Sequence, residues 1–469
     1  MSDVQIQHRP AGQAGVKPRR AMGKLAMVFC CGTALISDGY VNSAAGTVNL
    51  FLGKLEIFTG IAYLGIICGQ LGFGVIVDRY GRKSSMLTAS CIMIVGSALC
   101  AGAYGANGSI DGMLAALVVY RFITGIGNPS GSVACSESTE ATGINTRWSH
   151  MWFALATDLR AARAGLDLWR HKPRTSMAPY LRTRHHPGGA RPSLAPPNDS
   201  GTQATREPEL YRRSAIKRNI PYRLIIKRYW RSLLGLSIAW FIYDFITYPF
   251  GLFSSVIVDT ITGSSTKLTT VLAWNLVINA FYLPGAITGA FTMDWLKPKR
   301  QLIIGLVLQG IVGFAMSGAY TQLTQHIAGF AVLYGLFLSM GEFGPGDCLG
   351  LLASKCFPTA ARGQMYAITA AVGKCGAYLG IWAFPAIIDS FPVGPKQTSG
   401  PFWIGSGLAF VSAIVAFFLV KEIKQDGMRE EDEAFRQYLA DNGYDVSQMG
   451  APAEVDDESI DEDKKEEIY

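Results

Sequence analysis

The sequence contains few charged residues for its length. Only 16% of its 469 residues are Asp, Glu, Lys or Arg, whereas 49% are hydrophobic. Soluble domains carry about 25% charged residues, so this composition excludes an ordinary soluble enzyme. Runs of about 20 apolar residues, the length that crosses a bilayer core, recur along the chain instead. The composition therefore predicts an all-α membrane protein that crosses the lipid bilayer many times.

The sequence also lacks the motifs of common enzymes and metal sites. Its nine cysteines are scattered and form no CxxC pair, so we expect packing roles and no metal. It has no nucleotide-binding glycine loop and no nucleophile–base set, so we expect no enzymatic activity and no cofactor. The net charge of +7 lies mainly in loops, without a basic helix face or zinc-ligand spacing. Nucleic acid is therefore not an expected partner.

Ten apolar runs are long enough to be membrane-spanning helices. They cover residues 24–44, 57–77, 85–105, 113–134, 233–257, 270–293, 301–320, 327–353, 364–388 and 402–420. Basic residues before the first run and in the loops "DRYGRKSS" and "LKPKRQ" predict two cytoplasmic termini by the positive-inside rule. Residues 1–23 are then a retained cytoplasmic N-terminus without a cleaved signal peptide. Residues 422–469 are acidic and poor in apolar residues, which predicts a disordered cytoplasmic tail.

The middle of the chain interrupts this pattern. Residues 24–134 form an N-terminal group of predicted spans, and residues 232–421 form a C-terminal group. The linker 135–231 between them is expected to be cytoplasmic. It includes residues 157–206, which are rich in arginine and proline and contain no run of span length. We interpret residues 157–206 as the product of a shifted reading frame or a retained intron; the alternative is a disordered basic linker.

Two motifs in the first group resemble those of the major facilitator superfamily. The loop "GVIVDRYGRKSS" contains glycines and an acid that a simple positive-inside anchor would not need, and "RFITGIG" follows in the fourth predicted span. The resemblance implies a charge network that holds one conformation closed and an arginine that faces a cavity. It also implies two six-helix bundles, of which helices five and six are missing or replaced here. The residues concerned are Gly74, Asp78, Arg79, Gly81, Arg82, Lys83 and Arg121.

Further strings resemble the phosphate and glycerophosphodiester proton symporters of this superfamily, and especially the fungal glycerophosphoinositol permeases. They are "SDGYVN", "AIKRNIPY", "WFIYDFITYPFGLFSS", "FGPGDCLGLLASKCFPTAARG" and "AAVGKCGAYLG". The resemblance covers approximately residues 21–134 and 207–447. It implies a monomeric plasma-membrane importer of glycerophosphodiesters such as glycerophosphoinositol, driven by protons through alternating access. The alternatives are an inorganic phosphate:proton symporter and a non-transporting nutrient sensor or truncated remnant.

One departure from the family pattern follows "RFITGIG". The sequence continues as "NPSGSVACSE" and lacks the acid–aromatic–proline string that the family has near this point. An acid and a tyrosine of the family's site therefore have no counterpart in this chain.

An aspartate in the middle of an apolar run marks the candidate substrate site. Trp240, Asp244 and Tyr248 follow one another at four-residue steps, which drift by only about 40° on a helix, so they share one face. An ionisable group at membrane depth normally faces a polar cavity or a partner. Lys374 is the only lysine deep in a predicted span and is the natural partner, although a purely structural ion pair is the alternative. The resemblance implies that these four residues bind a phosphoryl group.

The same comparison with phosphate symporters implies proton coupling. A protonated Asp244 could donate a hydrogen bond to an anionic substrate, whereas an ionised Asp244 would compete with it for Lys374. Asp38 resembles a proton-relay position, with a capping or inter-helix hydrogen bond as the alternative. Glu342 and Asp347 flank Pro345, which predicts a bent helix beside the cavity and a contribution to specificity.

Overall fold

The computed structural model describes residues 55–80, 82–104, 109–127, 221–262, 268–423, 427–444 and 446. Every regular element in these ranges is helical. The predicted span 24–44 and residues 128–220, including the segment 157–206, lie outside the described residues. The helices are α1 Leu55–Tyr80, α2 Arg82–Ala101, α3 Ile110–Gly127, α4 Tyr222–Thr262, α5 Leu268–Ala280, α6 Tyr282–Leu296, α7 Pro298–Gly318, α8 Tyr320–Leu323, α9 Ile327–Gly341, α10 Asp347–Lys355, α11 Arg362–Asp389, α12 Pro395–Leu419 and α13 Gly427–Asp441.

Most of these helices are long and apolar enough to cross a membrane. In the described part of the chain, seven stretches meet that condition: one each in α1, α4, α7, α11 and α12, one across α5 and α6, and one across α9 and α10. Helices α2 and α3 occupy two further predicted spans, although the apolar part of α2, Leu87–Ala101, is shorter. A helix of 20 residues is about 30 Å long, which matches the bilayer core.

Helix α4 begins earlier than the predicted span 233–257. It starts at Tyr222, so the last residues of the predicted linker 135–231 are helical. The extension is amphipathic: Ile225 and Tyr229 are buried, whereas Lys227 and Arg231 are exposed. An apolar stripe at three- and four-residue spacing stabilises a helix against a neighbour without requiring span-like hydropathy.

The predicted span 270–293 is two helices, because the chain turns at Phe281 between α5 and α6. Pro284 lies four residues after Ala280 and has no N–H to donate to the Ala280 carbonyl, so the helical hydrogen bonding is interrupted there. The prediction of one span is nevertheless confirmed, because Ala273–Met293 as a whole is long and apolar enough to cross a membrane.

The span predicted over residues 327–353 loses its regular α-helical hydrogen bonding around Pro345. Residues Glu342–Gly346 form a π-helical turn between α9 and α10. The wider turn accommodates the proline ring, which would clash with a carbonyl in a regular α-helix. Gln301 of α7 donates a hydrogen bond of 2.8 Å to the Phe343 carbonyl within this turn.

Aromatic residues form the core of the C-terminal group. The ring of Phe250 in α4 lies 5.2 Å from Phe337 of α9, 5.2 Å from Phe384 of α11 and 4.6 Å from Phe402 of α12, centroid to centroid. Tyr334 donates a 2.7 Å hydrogen bond to the Phe250 carbonyl. Aromatic pairs in offset or edge-to-face geometry pack favourably beyond their buried area, so this cluster holds three helices, α9, α11 and α12, against α4.

The expectation of a disordered tail over residues 422–469 was wrong for residues 427–441. Helix α13 packs against the beginning of α4, with Phe435 1% and Leu439 0% exposed. Glu431 accepts hydrogen bonds from Tyr229 at 2.7 Å and from Lys421 at 2.5 Å. The tail cannot fold alone, but apolar residues four apart give it one face that a neighbouring surface can bury.

Candidate functional site

A buried ion pair joins α4 to α11. The Lys374 Nζ donates hydrogen bonds to Asp244 Oδ2 at 2.9 Å and to the Tyr248 hydroxyl oxygen at 2.6 Å. It also lies 4.4 Å from the centroid of the Tyr248 ring, within range of a cation–π interaction. Asp244 is 1% exposed. The structure therefore brings Lys374 into contact with Asp244 and Tyr248, which are 130 and 126 residues away along the chain.

Small residues allow α4 and α11 to approach closely at this point. A Cβ atom added to Gly373 would lie 2.6 Å from the Trp240 ring, and one added to Gly380 would lie 2.6 Å from the Phe245 carbonyl oxygen. Gly376 packs still more closely, because a Cβ atom added to it would lie nearer still to the Phe241 carbonyl oxygen. Glycines of this kind let helix backbones meet inside a membrane protein. Trp240 thus packs directly against the residue that precedes Lys374.

Glu342 is connected to the ion pair through Tyr243, the residue next to Asp244. The Tyr243 hydroxyl donates a 3.0 Å hydrogen bond to Glu342 Oε1 at the start of the π-helical turn. Asp347 does not join this group. Its carboxylate packs against Gly289 of α6, a helix that carries neither member of the ion pair. Of the two acids predicted to flank the cavity, Glu342 thus contacts an immediate neighbour of the ion pair.

The N-terminal group contributes Tyr63 of α1. Its ring makes an edge-to-face contact with Tyr248, with centroids 5.0 Å apart and planes at 73°. Tyr63 is 4% exposed and packs in a small apolar cluster with Ile66 of the same helix and Ala377 and Ile381 of α11. Sequence reasoning did not select Tyr63 or Tyr243 as site residues. Their only sequence signal is a phenol hydroxyl within an apolar span, which does not identify a partner.

The structure describes some of the motif residues in the first group of helices but not others. Gly74 of α1 lies against Ala367 and the Gly363 carbonyl of α11, so this glycine permits a contact between the N-terminal and C-terminal groups. Arg121 of α3 is 5% exposed. Gly127 belongs to the same motif and packs against α2. A Cβ atom added to Gly127 would lie 2.8 Å from the Ala89 carbonyl oxygen. Outside the described residues are Asp38, Gly81 and the side chains of Asp78, Arg79, Arg82 and Lys83.

The arrangement has a defined chemical capacity. A lysine ammonium is a compact positive charge with three donors, and it is shared here between a carboxylate and a phenol. An anion that enters must compete with Asp244 for that charge, unless Asp244 takes up a proton and becomes a donor. In the part of the chain that the structure describes, no three His, Cys, Asp or Glu side chains are grouped to hold a metal ion.

The long apolar helices define a multi-pass membrane protein with an ion pair buried between two of them. The chain belongs to the sugar (and other) transporter family, whose model matches residues 38–139 and 184–435. It is 36% identical to the major glycerophosphoinositol permease GIT3 of Candida albicans, over 91% of this chain and 84% of that protein. It is 37% identical to the glycerophosphocholine permease GIT4 of the same organism, over 93% and 86% of the two chains.

Solved structures identify the fold. The MFS (major facilitator superfamily) proton:xylose symporter XylE superposes with a TM-score of 0.68 over 88% of this chain and 99% of its own, at 18% sequence identity. The predicted all-α major facilitator fold is therefore confirmed, and so is the resemblance to the glycerophosphoinositol permeases.

Proposed function

We propose that this protein is a proton-coupled transporter that imports glycerophosphodiesters, such as glycerophosphoinositol, by alternating access. The observation that carries the proposal is the contact of Lys374 with Asp244 and Tyr248 between α4 and α11. It is supported by relatives whose names specify glycerophosphoinositol and glycerophosphocholine. A phosphodiester has a single negative charge, which one lysine can neutralise without a metal or a cofactor.

Four residues form the proposed phosphoryl site. Lys374 supplies the charge, Tyr248 a hydroxyl donor, and Trp240 a wall with an indole N–H. Asp244 releases Lys374 when it is protonated and can then donate a hydrogen bond to the phosphoryl oxygen. When Asp244 ionises, it forms the ion pair with Lys374 again and displaces the substrate. Proton binding and substrate binding are thereby linked, with Asp38 as a second proton-coupling residue.

The remaining predicted residues have supporting roles in this proposal. Glu342 contributes to specificity through Tyr243, whereas Asp347 acts from the α6 side. Gly74, Asp78, Arg79, Gly81, Arg82, Lys83 and Arg121 govern the change between conformations. We propose a monomer in the plasma membrane with both termini in the cytoplasm, in agreement with the basic loops of the sequence. Like its relatives, the protein acts as a transporter rather than an enzyme.

Substitution of Lys374 tests the site. Because nothing else described at the ion pair carries a positive charge, Lys374→Ala should reduce glycerophosphoinositol uptake at least a hundredfold, with the protein still in the membrane. Lys374→Arg should restore little, since the guanidinium is larger and planar. Lys396→Ala removes an exposed lysine at the start of α12 and is the matched control. Uptake of labelled substrate at equal expression is the measurement.

Competition by inorganic phosphate separates the proposal from its rival. Excess phosphate should inhibit glycerophosphoinositol uptake only weakly, whereas a phosphate symporter would be inhibited strongly. Normal uptake by Lys374→Ala would remove Lys374 from the site. Failure of the unaltered chain to bind or transport any phosphodiester would instead favour a non-transporting sensor or remnant.

A further inference from the structure

A second polar cluster lies beyond the ion pair along α4. The Ser254 hydroxyl lies 2.5 Å from Asn275 Oδ1 of α5, and the Asn279 amide donates to the same oxygen at 3.1 Å and to the Asn275 carbonyl at 2.8 Å. Ser254 is 1% exposed, whereas both asparagines are only partly buried. Polar side chains at membrane depth are retained where they pair with one another or line a path for a solute.

In the described part of the chain, some hydrogen-bond donors and acceptors of the cluster are unused. No hydrogen bond within the described residues uses the Asn275 Nδ2 donors or the Asn279 Oδ1 acceptor. An amide offers two donors and one acceptor with two lone pairs, so either orientation of each amide leaves one end unused. The Thr247 hydroxyl, 8% exposed, is also buried without a partner among the described residues. Orphaned polar groups of this kind are costly unless something satisfies them.

The cluster lies next to the ion pair along α4. Thr247, Gly251 and Ser254 lie at i, i+4 and i+7 on α4, so they form one stripe. Thr247 is three residues from Asp244, and Gly251 is three residues from Tyr248. At 1.5 Å per residue, Gly251 is about 4.5 Å and Ser254 about 9 Å further along the axis than Tyr248. The stripe therefore starts beside the ion pair and runs away from the end of α4 that binds α13.

Gly251 and Tyr282 complete the surface between the two groups. The Tyr282 hydroxyl, at the start of α6, would lie 3.2 Å from a Cβ added to Gly251. Tyr282 follows Asn279 by three residues, across the turn at Phe281 that separates α5 from α6. Along α4, Tyr282 therefore contacts the helix at Gly251, between Tyr248 and Ser254.

We propose that Thr247, Ser254, Asn275, Asn279 and Tyr282 form a subsite for a hydroxyl-rich group attached to the phosphodiester, and that they favour a polyol over a choline head. The inference rests on the proposed function and specifies its substrate class. A polyol hydroxyl both donates and accepts, as does the unused capacity of the two amides. A quaternary ammonium forms no such bonds and is typically bound by a cage of several aromatic faces, of which these five residues supply only Tyr282.

Binding to the purified full-length protein tests the subsite with three probes: glycerophosphoinositol, glycerophosphocholine and inorganic phosphate. The unaltered protein should bind glycerophosphoinositol more tightly than glycerophosphocholine. Asn275→Leu and Asn279→Leu should each weaken glycerophosphoinositol binding about tenfold, because a buried hydroxyl loses its partner. Affinity for the other two probes should change less than about twofold, within the range of a substitution that removes no direct contact.

Matched variants keep the outcome interpretable. Thr288→Ala of α6 removes an exposed hydroxyl bonded to its own helix and should change none of the affinities. If a leucine variant fails to fold, Asn275→Ser and Asn279→Ser retain a small polar group and should show the same selective loss. Equal weakening of all three probes, unchanged glycerophosphoinositol binding, or tighter binding of the choline diester would overturn the subsite and leave the proposed transport of phosphodiesters standing. Absence of diester binding to the unaltered protein would overturn both.

Discussion

Asp244 illustrates how one residue can serve both structure and transport. Its carboxylate is buried and receives a hydrogen bond from Lys374, so the pair stabilises the contact of α4 with α11. Removing one member of a buried pair usually leaves an uncompensated charge, which costs about 3–5 kcal/mol. A purely structural pair and a proton-coupled pair therefore differ in what an uncharged replacement does to transport, rather than in their geometry.

Asp244→Asn should retain substrate binding but lose accumulation against a gradient. The amide imitates the protonated carboxyl because it can donate a hydrogen bond, but it cannot ionise. Exchange of internal for external substrate should persist, since exchange requires no net proton movement. Paired assays of accumulation and exchange in vesicles measure this, with Asp389→Asn at the exposed end of α11 as the control. Normal accumulation with unchanged pH dependence would make Asp244 structural and leave Asp38 as the coupling acid to examine.

Helix α13 is an element whose docking depends on two adjacent acids with opposite pKa shifts. Burial acts to raise the pKa of Glu431, but hydrogen bonds from Lys421 and Tyr229 and the nearby positive charges outweigh it and lower the pKa. Burial raises the pKa of Asp432, and Arg362 and Thr359 offset this only in part. The stabilisation of the docked helix by Glu431 is complete above the ordinary glutamate pKa. It is lost as the pH falls through the lowered pKa of Glu431. The Asp432 contribution is present at acid pH and is lost as the pH rises through its raised value.

Glu431→Gln should therefore loosen α13 at neutral pH. Hydrogen bonds to a charged group are worth about 1.5–3 kcal/mol, so amide exchange over residues 427–441 should accelerate about tenfold or more. The difference from the unaltered protein should shrink as the pH falls below the ordinary glutamate pKa. Glu433→Gln, an exposed neighbour on the same helix, is the control and should exchange normally. Equal protection of the Glu431→Gln helix at neutral pH would show that Phe435 and Leu439 suffice to dock it.

Across the whole molecule, α1 and α11 connect the two groups of helices along most of their length. Gly60 packs against Trp382 near one end of the contact, and Gly74 packs against Gly363 and Ala367 near the other. These glycines are 14 residues apart, about 21 Å along the helix. Rocking of one group against the other requires this contact to open at one end while it stays closed at the other.

A bulky substitution at Gly74 tests this contact between α1 and α11. Gly74→Leu places a side chain where Ala367 already lies, so the groups should no longer close at that end. Turnover should fall at least tenfold. Substrate affinity should change little, because Gly74 is about 16 Å along α1 from Tyr63, the α1 residue that contacts the site. Gly72→Leu, two residues earlier and facing open space, should transport normally. A loss of affinity equal to the loss of turnover would contradict a purely conformational role.

The sequence by itself determined the class of protein, the helical architecture and the pairing of Asp244 with Lys374. Hydropathy determines which segments enter a bilayer, and an isolated charge in such a segment requires a partner, so both follow from local composition. Tertiary structure alone decided that Glu342 reaches the ion pair through Tyr243 and that Asp347 faces Gly289 instead. It also decided that Tyr63 meets Tyr248 and that part of the acidic tail folds. These outcomes depend on glycine contacts between helices and on surfaces that a distant segment can bury, neither of which local composition encodes.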